Sequence, residues 1–394
     1  MNKSISTVTV TVFLVLLTTM STAFWIIPDR PFSAKENRAL QAFPTLTAEG
    51  WLSGELTSRM NRYFNDQLPL RGELLEMDAL ISLAEGRGES HGVLVSRDGR
   101  LAVRRFDAYL GRTARAEDTD GYSPSHVEGE LIALGTELHR ATVPATVLLP
   151  PRTVDVTASS FGYPTEISER LHRLISDTAT REHIPYVDLY APLTAMHQGG
   201  EEVYFRTDHH WTTLGAYTAY AAMMEAMGMG ADTLPPDAFT VRCISDFYGT
   251  THARAGLSRV PADTLEIWEC PDDHAYLIRD EQDHTVMQGF INEDRLIGRD
   301  KYAAFLDGNR RLITVTRDTE ADGTSRPRLL VAKDSFANNM IPFLARHFDL
   351  VVVNLSAGMN RLSELAEAYQ CDRILVVYNW ENLITADHLS YGRP

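Results

Sequence analysis

Leu329-Leu330-Val331-Ala332-Lys333-Asp334-Ser335-Phe336-Ala337-Asn338-Asn339 is the stretch that decides the fold. Its apolar residues follow one another without polar alternation, the mark of a strand buried on both faces. A polar turn follows and leads into a helix. Strand, sharp turn and helix in that order are the unit of an open α/β sheet, whose ligands gather at the carboxyl ends of the strands. Four other runs have the same character, at residues 143–149, 184–189, 350–354 and 373–378. Helical segments separate them, so these runs and 328–332 predict an α/β protein with a parallel, doubly wound sheet. From about 237 to 325 the segments are shorter, more polar and hairpin-like, which predicts an antiparallel insertion.

Upstream, Gly92–Val103 alternates about Asp98-Gly99, a short-range hairpin signal. Trp51, Leu52, Leu56, Met60, Tyr63 and Phe64 recur at helical spacing, and a second helical run covers 73–84. Both are expected to pack a core. The Pro-bounded, mostly polar residues 30–46 read as a stalk. Residues 5–27 carry no charge, with Lys3 before them and Asp29, Arg30 and Pro31 after. About twenty such residues cross a bilayer once as a helix. The expectation is a single-pass anchor in the cell membrane with the folded part outside the cytoplasm. Ser21-Thr22-Ala23 offers a signal-cleavage site, which makes secretion the alternative. The chain divides accordingly into 1–28, anchor or signal peptide; 29–90, stalk and helical region; and 91–394, the sheet domain with its insertion.

The formal charge of −16 argues against a nucleic-acid partner, which would demand a basic face. Three cysteines are too few for a disulfide framework, although Cys243 and Cys270 fall in one insertion and could pair in an oxidising compartment. They form no zinc-ligand spacing, and no cofactor motif is present.

Two stretches carry chemistry. In Tyr204-Phe205-Arg206-Thr207-Asp208-His209-His210-Trp211-Thr212, an acid precedes two imidazoles just before an apolar helix. An Asp two positions ahead of a His can hold its Nδ1 proton and leave Nε2 as a general base. His210 is therefore the expected base, and His209 is expected to point elsewhere. In the opening stretch, the Ser335 hydroxyl lies at the carboxyl end of a strand and its N–H at the start of a helix, where an oxyanion would be stabilised. Taken singly, a hydrogen-bonded loop histidine and an N-cap at Asp334 or Ser335 explain the same residues. A metal site would need a third convergent ligand, which the spacing does not supply.

Taken together, the Asp-His-His-Trp run, the Lys-Asp-Ser-Phe-Ala-Asn-Asn turn, the Phe-Tyr-Gly-Thr block at 247–250 and Glu36-Asn37-Arg38-Ala39-Leu40-Gln41-Ala42-Phe43-Pro44 resemble the DHHW protein family. That family is similar to the SGNH-hydrolase-like alginate O-acetyltransferases. The resemblance implies an SGNH-like sheet in circularly permuted order, because the acid and base precede the serine here. It makes Asp208, His210 and Ser335 a catalytic triad. The oxyanion donors it implies are the N–H groups of Ser335 and Gly358 and the side-chain amide of Asn379, with Asn382 a competitor. Lys333 replaces the usual glycine, and Tyr378-Asn379-Trp380-Glu381 departs from the Gly-x-Asn-Asp block of the hydrolases. Tyr204 and Trp211 are candidates to stack on a sugar ring, and Arg152 to contact substrate.

The expected function is that of an extracytoplasmic serine esterase or O-acetyltransferase acting on a cell-surface glycan, with a polytopic membrane protein as acyl donor. A non-catalytic glycan-binding or assembly protein that keeps the fold is the alternative, and a metal hydrolase using His209 and His210 is a third reading.

Overall fold

A computed structural model describes residues 3–33, 35–36, 38–104, 122–318, 326–358 and 361–389. The chain separates into two compact units. One comprises Met1–His91 with Ala253–Arg259, and the other Gly92–His252 with Val260–Pro394.

The smaller unit holds helices α1 (Lys3–Ile26), α2 (Ala48–Leu52), α3 (Glu55–Asp66) and α4 (Arg71–Ala84). Within α1, Thr7–Ile26 is long and apolar enough to cross a membrane, with a mean hydropathy of 1.8. The stretch expected to be an extended stalk instead folds back on the helices. Phe32–Ser33 pairs with Arg38–Ala39, Arg38 bridges to Asp66, and Arg71 bridges to Glu36. Its charges are ion-pair partners for α3 and α4. The apolar residues of α2 and α3 also divide differently from expectation. Leu56 and Tyr63 are buried, whereas Trp51, Leu52 and Phe64 are exposed. Helical periodicity identifies a shared face but not whether anything covers it.

Among the described residues, the larger unit is built on an eight-stranded sheet. Its strands are β1 (Ala145–Leu148), β2 (Tyr186–Val187), β3 (Tyr276–Asp280), β4 (Val286–Gln288), β5 (Leu312–Arg317), β6 (Arg328–Lys333), β7 (Asp349–Asn354) and β8 (Arg373–Val377). The order is β4-β3-β5-β7-β6-β8-β1-β2. All five runs read as buried strands are parallel neighbours, with β6 between β7 and β8: Leu330 faces Val351 of β7, and Val331 faces Leu375 of β8. Leu330 and Ala332 pack with helices α5 (Pro124–Arg140) and α6 (Thr165–Arg181). Leu329 and Val331 pack on the other face with α7 (Thr213–Ala226). Layers on both sides explain the unbroken apolar run of β6.

The strands of the insertion pair antiparallel, as expected, and they do so within the central sheet. Strands β3, β4 and β5 add antiparallel to the open side of β7 and widen the central sheet. Among the described residues of the insertion, only Thr240–Phe247 with Asp263–Glu269 forms its own hairpin. In β5, buried Ile313 and Val315 alternate with half-buried Leu312, Thr314 and Thr316. Such alternation shows one solvated face but does not say which sheet the strand joins. Cys243 lies opposite Glu266, away from Cys270, and all three cysteines are free.

Burying a Leu or Val side chain contributes about 1.5–3 kcal/mol, and β6 is covered by two layers. Leu330→Ala is therefore expected to lower unfolding free energy by about 2–5 kcal/mol, measured by urea denaturation. A loss below about 1 kcal/mol would show that this side of the sheet can collapse around the gap.

Candidate active site

Strand β6 ends at Lys333, and Asp334 organises the turn beyond it. The Asp334 N–H still donates to Val377 O of β8 (3.0 Å), while its Oδ1 accepts the Phe336 N–H (2.9 Å). That cap turns the chain sharply at Ser335. Asp334 Oδ2 accepts the Asn379 N–H (2.7 Å), Asn379 Nδ2 (2.6 Å) and Asn382 Nδ2 (3.0 Å). One buried carboxylate thus ties the ends of β6 and β8 together. Burial pushes its pKa upward, and these donors work against that rise.

The Asp208–His210 loop reaches the same place from the turn before α7. A bridge between Tyr204 and Trp211 closes the loop, and Phe205 N–H donates to His210 O (3.2 Å). Asp208 Oδ1 accepts from the His210 backbone N–H (3.0 Å) and faces His210 Nδ1 (2.5 Å). A carboxylate only accepts, so the imidazole proton sits on Nδ1 and Nε2 is left as an acceptor. Ser335 Oγ donates to that Nε2 at 2.7 Å.

Asp208 Oδ2 accepts from Thr250 N–H (2.7 Å) and Thr250 Oγ1 (3.0 Å). Burial alone would raise Asp208, but the two imidazoles, the His210 hydrogen bond and the Thr250 N–H hold it far below the usual carboxylate range. Gly249 has to be glycine, since a Cβ there would stand 2.1 Å from Asp208 Oδ2. Beneath the loop, Asp263 accepts from the N–H groups of Arg206 and Thr207 and from Thr207 Oγ1. The Phe-Tyr-Gly-Thr block, noticed in the sequence only as part of a resemblance, is the seat of Asp208.

His209 meets Thr250 Oγ1 through Nδ1 (2.6 Å). Desolvation and the adjacent His210 lower its pKa to about 4, so it is neutral at working pH. Asp208, His209 and His210 do present ligand atoms within 4.8 Å of one another, with Asp208 as the third donor that the spacing of the histidines had not suggested.

Tyr302 carried no sequence signal. Its ring stacks on His210 with centroids 3.9 Å apart and planes 10° from parallel. Its hydroxyl donates to Ser335 O (3.0 Å) and to Asn339 Oδ1 (3.2 Å). From the same segment, Asn309 Oδ1 accepts from Lys333 Nζ (2.9 Å), which also donates to Asn338 Oδ1 (2.5 Å).

The proposed substrate contacts are structural instead. Tyr204 is 1% exposed and donates to Pro151 O; Trp211 is fully buried and its Nε1 donates to Phe336 O (2.9 Å) and Asn339 Oδ1 (2.9 Å). Neither ring offers a face to a sugar. The Arg152 guanidinium is forked onto Asp155 (2.7 and 2.8 Å) and buried, so it braces a loop rather than reaching for ligand. The Asn379 amide is engaged with Asp334, and its Oδ1 accepts the Asn382 N–H (3.0 Å), so Asn379 clamps the turn. Gly358 is exposed after the Leu355–Ala357 turn, with a left-handed φ of 64°.

The class defined by these features is a mixed α/β protein on a large central sheet, with an Asp-His-Ser hydrogen-bonded row at the strand ends. The DHHW protein family model matches residues 184–354, a range that contains Asp208, His210 and Ser335. A probable alginate O-acetylase AlgJ from Pseudomonas syringae pv. tomato is 26% identical over 198 residues, covering 49% of this chain and 48% of that protein. The chain thus spans about half the length of the curated relatives it matches. The fold is similar to that of Bacillus cereus PatB1 (TM-score 0.58, 18% identity, 76% of this chain and 99% of that one). It is also similar to a DHHW family protein from Eubacterium siraeum (TM-score 0.56, 18% identity, 77% and 95%).

Lys333 supplies a test of this buried environment. Burial lowers its pKa from 10.5 to about 8, with Asp334 opposing. Between those values the unfolded chain binds a proton that the folded chain does not, so this group makes stability rise with pH across that window. Lys333→Met is expected to lose that part of the slope in denaturation curves taken from pH 8 to 10.5. An unchanged slope would mean that the amine is not held in a dry site.

Proposed function

We propose that this protein is an O-acetyltransferase of a cell-surface polysaccharide, anchored by α1 with its sheet unit outside the cytoplasm, and built in the permuted SGNH order. The observation that carries the reading is the row Asp208–His210–Ser335, with contacts of 2.5 and 2.7 Å. Ser335 Oγ attacks the acyl carbonyl of a donor while His210 Nε2 takes its proton, and Asp208 stabilises the imidazolium that forms. The Ser335 and Gly358 N–H groups receive the developing oxyanion. As the tetrahedral intermediate collapses, His210 returns the proton to the leaving group. A sugar hydroxyl, deprotonated in turn by His210, then takes the acyl group and regenerates Ser335. Water in place of the sugar would give hydrolysis by the same steps. The likeness to a probable alginate O-acetylase favours transfer, and a polytopic membrane protein is the proposed acyl donor.

Turnover of an activated acetyl ester and acetyl transfer to polysaccharide test the reading together. His210→Ala is expected to lose about 10²–10⁴-fold in kcat, as removal of a general base does. Adding Ser335→Ala should cost little more, because the residues act as one unit. His209→Ala should keep most turnover and lower the melting temperature. A folded His210→Ala protein with normal turnover would end the triad reading, whereas a folded unmutated protein with neither turnover nor transfer would leave a non-catalytic glycan-binding role. The clustered ligand atoms of Asp208, His209 and His210 favour a metal-dependent reading instead if a chelator abolishes turnover.

Tyr302 acts as a positioning residue, its ring fixing the His210 plane and its hydroxyl the Ser335 backbone. Tyr302→Leu is expected to lower kcat by about three- to tenfold with KM little changed, since an aromatic stack contributes about 0.5–1.5 kcal/mol. Tyr302→Phe, which keeps the stack, should lose less. Equal losses in both would assign the effect to the hydroxyl alone.

A further inference from the structure

In the smaller unit, α1 passes into the folded helices without a spacer. Ile27 N–H still donates to Ala23 O (2.9 Å), and two residues later Asp29 Oδ1 accepts from Tyr63 Oη of α3 (2.9 Å). Arg30 N–H donates to Gln67 Oε1 (2.9 Å), Gln67 Nε2 donates back to Arg30 O (3.0 Å), and the Arg30 guanidinium reaches Asp66 O (3.1 Å). The Phe24 ring, in the last turn of α1, lies 5.8 Å from Tyr63 and 5.5 Å from Phe64, and Phe43 lies 5.2 Å from Tyr63. The carboxyl-terminal part of α3 is therefore clamped to the end of α1. Wherever α1 leaves a bilayer, that part of α3 is in the membrane–water interface.

The other end of α3 decides how the helix lies. Twelve residues of helix extend about 18 Å. Standing upright, α3 would lift α2 that far into water. Yet α2 carries Trp51, 72% exposed, and Leu52, 87% exposed, and Leu46 just before it is exposed as well. Phe43 and Phe64 at the clamped end are also exposed. Apolar and aromatic side chains uncovered at both ends of a helix tied to a spanning segment suit the headgroup region, where amphipathic rings concentrate. Resting on the reading of α1 as an anchor, we propose that α3 lies flat on the lipid surface and that Trp51 and Leu52 insert at the boundary between headgroups and acyl chains.

The test uses the full chain in phosphatidylcholine vesicles, with and without acyl-brominated lipid. Trp25→Phe leaves Trp51 as the exposed fluorophore. Trp25→Phe/Trp51→Phe gives the background from Trp211, Trp268 and Trp380. Adding Phe64→Trp to that double variant probes the clamped end. Brominated lipid should remove most of the emission assigned to Trp51 and to the Phe64→Trp probe alike, and iodide should remove little of either. Quenching of the Phe64→Trp probe by lipid, with Trp51 open to iodide, would overturn the flat arrangement and leave the anchor intact. Trp51 shielded from both quenchers would point to a protein partner or second copy on α2 and would likewise overturn it. If neither probe meets lipid and the chain does not float with vesicles, the anchor reading fails as well.

Discussion

The Asp334 carboxylate, buried where β6 ends, is the constraint on which the site depends. A strand covered on both faces can change direction only where its freed backbone groups find partners, and Asp334 supplies them. Its Oδ1 caps the turn at Phe336, and its Oδ2 gathers three N–H donors from the turn after β8. Ser335 consequently leaves the sheet with its hydroxyl directed at His210 instead of continuing the strand. An unpaired carboxylate this deep would be costly, so the donors and the acid hold each other in place.

The His210 side is built to a different plan. Asp208 lies in a loop and not at a strand end, and it is oriented from below by Gly249, Thr250 and Asp263. These come from the insertion, as do Tyr302 and Asn309, so the insertion is half of the site's framework. It buries the acid and covers one face of the base. Burial and the charge of Asp208 together push the neighbouring Asp300 and Asp263 carboxyls upward. The charge of Asp208 stands where an imidazolium would form.

The smaller unit joins the apolar helix to folded structure through hydrogen bonds and ring contacts instead of a flexible tether. Exposed aromatic residues near that junction, poorly suited to water, are at home at a lipid surface. Their exposure is a property of the folded unit, because an isolated helical pattern leaves open whether its apolar stripe faces a core, a partner or lipid.

What the sequence determined by itself was whatever is encoded locally. The unbroken apolar runs settled the parallel strands β6, β7 and β8, since burial on both faces leaves no polar alternation. Asp-Ser after β6 marked the turn, and Asp-x-His fixed which imidazole meets the acid, because two residues is the span that brings Nδ1 to the carboxylate. Tyr204, Trp211 and Arg152 misled because an aromatic or charged residue beside a motif has the same identity whether it faces ligand or core. Only the tertiary structure decided that. It brought Tyr302 onto His210 from 92 positions away, seated Asp208 on Gly249 and Thr250, and turned the Asn379 amide onto Asp334. These contacts join residues far apart in the chain, and their geometry comes from how the sheet and its insertion close on each other rather than from any local spacing.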